Sequence, residues 1–246
     1  MKRYLALGYG AAAYAVFVVV FLYAIGFVGN MVVPRSVDHG LTAPVGRALL
    51  VDALLLGAFA VQHSVMARPG FKVWWTRFVP PAIERSTYVV LSSAVLALLY
   101  WQWRTMPAVV WDVRPQAGRL VLWALFWLGW AIVFASTFMI NHFDLFGLRQ
   151  VYLAWRAEPY TELGFQARSL YRLVRHPIML GFVIAFWATP TMTAGHLLFA
   201  VATTGYILTA VRLEERDLVA ALGQQYHAYR RSVSMLLPRP PRRKPE

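Results

Sequence analysis

The chain has 246 residues, no cysteine, and a formal net charge of +13, since 24 lysines and arginines face only 11 acidic residues. Hydrophobic residues make up 59% of the chain and charged residues only 14%, whereas a soluble domain carries about 25% charged residues. So few charges exclude a water-soluble cytosolic enzyme and a disordered chain. The lack of cysteine excludes a disulfide framework, a thiolate metal site and a cysteine nucleophile.

The first part of the chain contains four stretches that are long and apolar enough to cross a bilayer, which takes about 20 residues of helix. They are residues 4–33, 49–66, 87–103 and 120–140. Lys2 and Arg3 precede the first stretch, as in a signal peptide, but the apolar run is too long and no small-residue cleavage site follows it. We therefore predict that the first stretch is a retained membrane helix.

A fifth apolar stretch, residues 178–211, is too long for one crossing, because a straight helix of that length would extend about 51 Å. Pro190 lies within a polar run, residues 189–195, that interrupts it. We predict a helical hairpin at this position, with a short first helix.

The distribution of positive charge supports the hairpin. With six crossings and a cytoplasmic N-terminus, the cytoplasmic segments hold all but five of the 24 lysines and arginines, as the positive-inside rule requires. The five on the outer side are Arg35, Arg47, Arg104, Arg114 and Arg119. A single unbroken fifth helix would move the basic C-terminal segment outside and remove the asymmetry. The predicted partner of this charge is the anionic membrane surface and not nucleic acid, because no nucleic-acid-binding motif accompanies it.

These patterns predict an all-α polytopic membrane helix bundle, a single domain over residues 1–246 with five to six transmembrane helices. Residues 1–140 hold four of the helices. Residues 141–238 hold a cytoplasmic segment, with a short amphipathic helix over 167–174, then the C-terminal hairpin and a further cytoplasmic segment. Residues 239–246, rich in proline and arginine, are predicted to be a disordered tail.

Ionisable groups at membrane depth are costly and therefore indicate function. Four groups of such residues occur at predicted cytoplasmic helix ends. They are Arg175 and His176 before the hairpin, Arg212, Glu214, Glu215 and Arg216 after it, Asn141, His142 and Asp144 after the fourth span, and Gln62 and His63 at the end of the second span. All four groups reach the same depth on the same side, as expected of an active site between the helices of a bundle.

The two groups that flank the hairpin suit a zwitterionic, polyhydroxylated ligand. Arg175 can hold a carboxylate in a bidentate fork, and a glutamate can accept from ribose hydroxyls. Each group also has a structural alternative: an interfacial arginine, glutamates paired with nearby arginines, a buried His63 bonded to a carbonyl, and helix termination at residues 142–144. No HExxH motif occurs, and His63, His142 and Asp144 form the one plausible ligand set, so we predict no metal site.

The same residues resemble a known family. Residues 175–181, the glutamates at 214–215 and residues 223–229 are similar to the C-terminal signature of the integral-membrane methyltransferases. These include isoprenylcysteine carboxyl methyltransferases, phospholipid methyltransferases and NnrU-like proteins. Residues 62–69, 81–88 and 141–147 resemble methanethiol S-methyltransferases, bacterial membrane enzymes that make dimethyl sulfide. The carboxyl methyltransferases commonly have tyrosine where this chain has Met179, which disfavours a prenylcysteine substrate and fits a small thiol.

The resemblance implies a bacterial inner-membrane enzyme that binds S-adenosylmethionine (S-adenosyl-L-methionine) from the cytoplasm and methylates a small-molecule thiol, with membrane lipid as its surroundings. The implied cofactor-binding residues are Arg175, His176, Glu214, Glu215, Tyr171, Gly181, Tyr206 and Tyr226. A thiol must be ionised to attack, so the site needs a base. We predict His142 with Asp144 as that base, and His63 as the alternative.

The sequence is also compatible with two other functions. One is methylation of a lipid or prenylated substrate. The other is a non-enzymatic NnrU-like membrane protein linked to haem or nitrogen oxides, in which His63, His142 and His176 ligate haem.

Overall fold

The computed structural model describes residues 2–161 and 163–238, and most of their regular structure is helical. The helices are α1 (Lys2–Gly29), α2 (Val45–Ala67), α3 (Pro69–Trp75), α4 (Pro81–Gln102), α5 (Gln116–Ile140), α6 (His142–Leu145), α7 (Leu148–Arg156), α8 (Pro177–Trp187), α9 (Ala194–Leu222) and α10 (Gln224–Ser232). Short strands are β1 (Leu41–Thr42), β2 (Arg104–Thr105), β3 (Val109–Asp112) and β4 (Thr191–Thr193). The predicted disordered tail, residues 239–246, lies outside the described residues.

Five of the helices, α1, α2, α4, α5 and α9, are long and apolar enough to cross a membrane. α8 is a shorter apolar helix of 11 residues. The protein is therefore a multi-pass membrane protein, and the predicted all-α polytopic bundle with a C-terminal hairpin is confirmed.

The two ends of the bundle are held by different contacts. At one end, β1 pairs with β2 and β3 pairs antiparallel with β4; we call this the strand end. At the other, the polar end, Tyr9 donates to Thr87, and Arg68 pairs with Asp217. Over the described residues the chain passes six times between these ends.

α8 shows how a short helix completes a crossing. Its 11 residues extend about 16 Å, roughly half the thickness of the hydrocarbon core. The extended residues after it lead to β4, which pairs with β3 at the strand end. α8 lies against α5 through two glycines: a Cβ on Gly181 would lie 2.6 Å from the Gly129 carbonyl oxygen, and one on Gly129 would lie 2.7 Å from that of Gly181. Such small residues allow close helix packing in membranes.

The apolar core is concentrated toward the strand end. It includes large aromatic side chains from five different helices or their ends: Phe27, Trp103, Phe126, Phe186 and Phe199. The indole of Trp103 donates to the Val37 carbonyl at 3.0 Å. Buried Asp52 also serves this end, because its carboxylate accepts from the Arg104 amide at 2.9 Å. The ionisable groups predicted to have a function lie instead at the polar end.

The prediction of an amphipathic helix over residues 167–174 is wrong, because only a 3-10 turn, Ser169–Arg172, forms there. The chain after it is held extended: the amides of Arg175 and His176 donate to the carbonyls of Ser234 and Met235 at 2.8 and 3.2 Å. Proline also disfavours a helical conformation in the residue that precedes it, which here is His176.

Gly181→Ala is expected to lower the free energy of unfolding by about 1–3 kcal/mol, because the new methyl group meets a backbone oxygen that cannot move without shifting a helix. Gly57→Ala on α2 is the matched control, since a Cβ there would meet nothing within 4 Å. Thermal unfolding in mild detergent compares the two variants. Equal midpoints for both would contradict the packing argument.

Candidate active site

Glu215 on α9 organises the polar end. Its side chain is 6% exposed, and Oε1 accepts from Arg175 Nε at 2.6 Å and from His176 Nε2 at 3.1 Å. Oε2 forms an ion pair with Arg230 Nε at 3.3 Å. This carboxylate therefore joins the residues before α8 to α9 and α10.

The structure gives Arg175 a different role from the predicted fork for a ligand carboxylate. Its side chain is 9% exposed, and Nε is bonded to Glu215. Its Nη1 donates to the carbonyl oxygens of Arg230 and Val233. Arg175 therefore serves to position Glu215 and the end of α10, and the prediction of a direct ligand contact is not supported by its geometry.

Glu214, the neighbour of Glu215, is open to a ligand. Its side chain is 48% exposed, and Oε2 lies 3.6 Å from His176 Nδ1. One turn further along the same face of α9, Asp217 pairs at 2.8 Å with Arg68, the residue directly after α2. Acidic and cationic side chains thus lie close together between the end of α2 and α9. We call the region defined by Arg68, His176, Glu214 and Asp217 the Glu214 cleft.

Tyr171 adds a phenol to this region. Burial and the negative charge of Glu214 raise the pKa of Tyr171 above its ordinary value, so the hydroxyl stays protonated and can donate. Its backbone carbonyl accepts from the Tyr229 hydroxyl at 2.5 Å, which fixes the 3-10 turn against α10.

His63 lies in a cluster between α2, α4 and α9. The Tyr88 hydroxyl oxygen is 2.9 Å from Nδ1 and 3.0 Å from Nε2 of His63, and Phe59 stacks on the imidazole with ring centroids 5.0 Å apart. Ser64 donates to the Tyr206 hydroxyl at 3.3 Å. We call these five residues the His63 cluster.

The His63 cluster and the Glu214 cleft share one face of α9. Tyr206 precedes Glu214 by eight residues, and residues about 7–8 apart lie on the same side of an α-helix. Tyr206 and Asp217 both contact α2, which locates this face. Nearby, Gln62 Oε1 is buried without a hydrogen-bond partner among the described residues, although its Nε2 donates to Ser92.

His142 belongs to a second cluster, between α1, α5 and α6. Thr137 Oγ1 donates to the Phe134 carbonyl at 2.7 Å, so it accepts from His142 Nδ1 at 2.8 Å. Nε2 then carries the lone pair and accepts from the Tyr14 hydroxyl at 2.7 Å. Phe138 covers the ring, with centroids 4.2 Å apart. Burial lowers the pKa of His142, so the imidazole is neutral with both nitrogens engaged.

The predicted pair of His142 with Asp144 is wrong. Asp144 Oδ1 accepts from Arg149 at 3.1 Å and Gln150 at 3.3 Å, and Oδ2 accepts from Tyr160 at 3.2 Å. α5 does end before these residues, but α6 begins directly at His142. Two residues that are two apart on a helical turn project to different sides, so the carboxylate cannot reach the imidazole.

Two of the residues implied by the resemblance have packing roles in this structure. Gly181 lies against Gly129 of α5. Tyr226 is 1% exposed and packs edge-on against Phe165, with centroids 5.8 Å apart. Tyr88 and Arg68 contact the site but were missed as candidates, although both stand inside the segments that carry the resemblance.

A family model described as NnrU protein matches residues 50–234. This chain belongs to the NnrU family. It is 75% identical over 98% of its length to Methanethiol S-methyltransferase of Mycobacterium tuberculosis, of which it covers 99%. It is 58% identical over 94% of its length to Methanethiol S-methyltransferase 2 of Bradyrhizobium diazoefficiens, of which it covers 89%.

A more distant relative is Nurim of Mus musculus, 31% identical over 73% of each chain. No solved structure matches the chain. The resemblance that residues 62–69, 81–88, 141–147 and the C-terminal region predict is confirmed.

Glu215→Gln is expected to lower the free energy of unfolding by about 3 kcal/mol or more, because it leaves buried cations without their counter-charge. Glu214→Gln, the matched control one residue away, should change it by less than about 1 kcal/mol, since that side chain is half-exposed. Thermal unfolding of both variants in mild detergent checks this. A larger loss for Glu214→Gln would show that the wrong carboxylate has been given the structural role.

Proposed function

We propose that this NnrU-family protein is a bacterial inner-membrane methanethiol S-methyltransferase that uses S-adenosylmethionine and releases dimethyl sulfide. The observation that carries the proposal is the shared face of α9, on which the His63 cluster and the Glu214 cleft lie next to each other. The names of the relatives at 75% and 58% identity support methyl transfer to methanethiol. The excess of cations at the polar end supports its assignment to the cytoplasmic side.

The side chains of the Glu214 cleft fit the cofactor chemically. The half-exposed carboxylate of Glu214 is an acceptor for ribose hydroxyls, whereas Arg68, His176 and Tyr171 offer cationic or donor groups. When bound, S-adenosylmethionine supplies an electrophilic methyl group on a sulfonium, with a neutral thioether as leaving group. Arg175 and Glu215 act indirectly, since they hold His176 and the adjoining backbone in place.

The chain itself must supply the base that ionises the thiol. A cysteine-like thiol has a pKa of about 8.5, and each pKa unit that the site overcomes is worth about 1.4 kcal/mol. In our proposal a ring nitrogen of His63 takes the proton from the thiol sulfur. The Tyr88 oxygen, at 2.9 and 3.0 Å from the two nitrogens, can donate to the neutral ring and accept from the imidazolium.

His63 is preferred to His142 for two reasons. Two different hydroxyls, those of Thr137 and Tyr14, each hold one nitrogen of His142 at 2.8 and 2.7 Å. At His63 a single hydroxyl, that of Tyr88, lies near both nitrogens, and Ser92 adds only a 3.4 Å contact to Nδ1. His63 instead lies beside α9, the helix that carries Glu214. With the proton held on His63, the thiolate sulfur would keep a free electron pair for the methyl group that bound S-adenosylmethionine would supply. Because an anion and a cation give two neutral products, apolar surroundings favour the reaction.

His63→Gln is expected to lower dimethyl sulfide formation by about 10²–10⁴-fold, the usual contribution of a general base. The deficit should shrink as pH rises, because the thiol then ionises without help. His142→Gln is the control and should retain turnover within about tenfold, with reduced thermal stability. Headspace gas chromatography after methanethiol is supplied to purified protein and S-adenosylmethionine measures both.

If His142→Gln lost far more dimethyl sulfide formation than His63→Gln, the base would be His142. No dimethyl sulfide from the unchanged protein, together with a Soret band, would overturn the proposal in favour of haem binding. A methylated lipid product without dimethyl sulfide would identify the other alternative.

Glu214→Gln is expected to raise the Kd of S-adenosylmethionine by about 10–100-fold, because a hydrogen bond to a charged acceptor is worth about 1.5–3 kcal/mol. Glu158→Gln is the matched control, since Glu158 is exposed and pairs only with neighbouring Arg156 among the described residues. Isothermal titration calorimetry measures both variants. An unchanged Kd for Glu214→Gln would remove this residue from the cofactor site.

A further inference from the structure

A pocket that the proposed reaction does not use lies beside α9 and α10. It has a volume of about 290 Å³ and is lined by Arg212, Glu215, Arg216, Val219 and Arg230. Three of its five lining residues are arginines, and all three are exposed. We call it the arginine pocket.

The arginine pocket and the Glu214 cleft lie on opposite sides of α9. Successive residues of an α-helix are about 100° apart around the axis, so Arg212 and Arg216 lie within about 40° of each other. By the same geometry the mean direction of the two arginines is turned roughly 130° from the mean direction of Tyr206, Glu214 and Asp217. A ligand in the arginine pocket therefore does not occupy the cleft that faces α2.

The charge of the pocket is not balanced by the protein. Within residues 2–161 and 163–238, the side chains of Arg212 and Arg216 have no hydrogen bond or ion pair. The carboxylate in the pocket, Glu215, is already shared by Arg175, His176 and Arg230. Two like charges one turn apart also repel each other by a few tenths of a kcal/mol, so an anion between them is favoured.

The surface of α9 next to the pocket indicates the source of the anion. Gly205 and Val201 lie on the same side of α9 as Arg212, in the apolar span. Val201 is 52% exposed, and a Cβ on Gly205 would meet nothing within 4 Å. An exposed apolar stripe thus leads from the arginines toward the middle of the membrane.

We propose that the arginine pocket binds the phosphate of an anionic phospholipid, with an acyl chain along Gly205 and Val201. Guanidinium groups match phosphate oxygens in bidentate geometry, and basic residues beside a membrane attract anionic lipids. A soluble phosphate ester would use the same arginines but would leave the apolar stripe uncovered. The apolar stripe therefore favours the lipid as the occupant.

The test uses the full chain in mild detergent, with phosphatidylglycerol as the probe and native mass spectrometry to count bound lipid. The variant is Arg212→Gln with Arg216→Gln. The control is Arg156→Gln with Arg231→Gln, which removes the same charge from two other exposed arginines. At about fivefold per arginine, the pocket variant should weaken lipid binding by roughly 25-fold, and the control should weaken it by less than about threefold.

Equal losses in the two variants would overturn the proposal, because the effect would then be general surface charge. A second arm adds sn-glycerol 3-phosphate without lipid. If it binds the unchanged protein as tightly as phosphatidylglycerol, the pocket is a site for soluble phosphate and the lipid assignment is wrong. Circular dichroism of both variants confirms that the helices are retained, as expected for substitutions of exposed side chains.

Discussion

The arrangement of the polar end depends on one buried carboxylate. The Glu215 carboxylate lies within 3.3 Å of nitrogens of Arg175, His176 and Arg230. Removing this carboxylate would leave buried positive charge without its counter-charge, which strongly destabilises a folded protein. Because Glu215 must point toward these cations, Glu214 is turned by about 100° around the helix and stays half-exposed. The exposure of the Glu214 carboxylate is thus a consequence of the burial of Glu215 beside it.

Hydropathy and charge predict the membrane helices because they act over whole segments, and the hairpin followed from Pro190 and from the placement of cations. The site depends on single side-chain directions, which such patterns do not contain. The sequence presents Glu214 and Glu215 as equivalent, and only tertiary packing separates them. It also presents His142 and Asp144 as neighbours, but the start of α6 at His142 turns them apart. Tyr88 reaches His63 across 25 residues of sequence, a contact that no local pattern predicts.

The surroundings of His142 and His63 differ in how many hydrogen bonds the protein makes to their polar atoms. Around His142, Thr137 and Tyr14 occupy both nitrogens, and the imidazole serves to join α1, α5 and α6. Around His63, the Tyr88 oxygen lies near both nitrogens and the Ser92 hydroxyl lies 3.4 Å from Nδ1. Gln62 Oε1 beside it has no partner among the described residues. Buried polar atoms normally have partners, so the His63 cluster has capacity left for a donor such as a thiol. This difference in unused hydrogen-bonding capacity is the reason for which our proposal assigns a structural role to His142 and the role of base to His63.

The length of α9 allows the proposed reaction and the proposed lipid binding to use one helix. α9 has 29 residues, about nine more than a crossing needs, and the first charged residue of the helix after its start is Arg212. The part of α9 that exceeds one crossing therefore starts near Arg212, where the charged residues of the helix also start. Charged groups on it reach the membrane surface without the cost of burial in hydrocarbon. Since the surplus is continuous with the apolar span, its α2-facing side can bring Glu214 close to a substrate dissolved in the bilayer. In the proposed arrangement, its other side presents Arg212 and Arg216 to phospholipid phosphates, so one helix would serve both the reaction and the surrounding membrane.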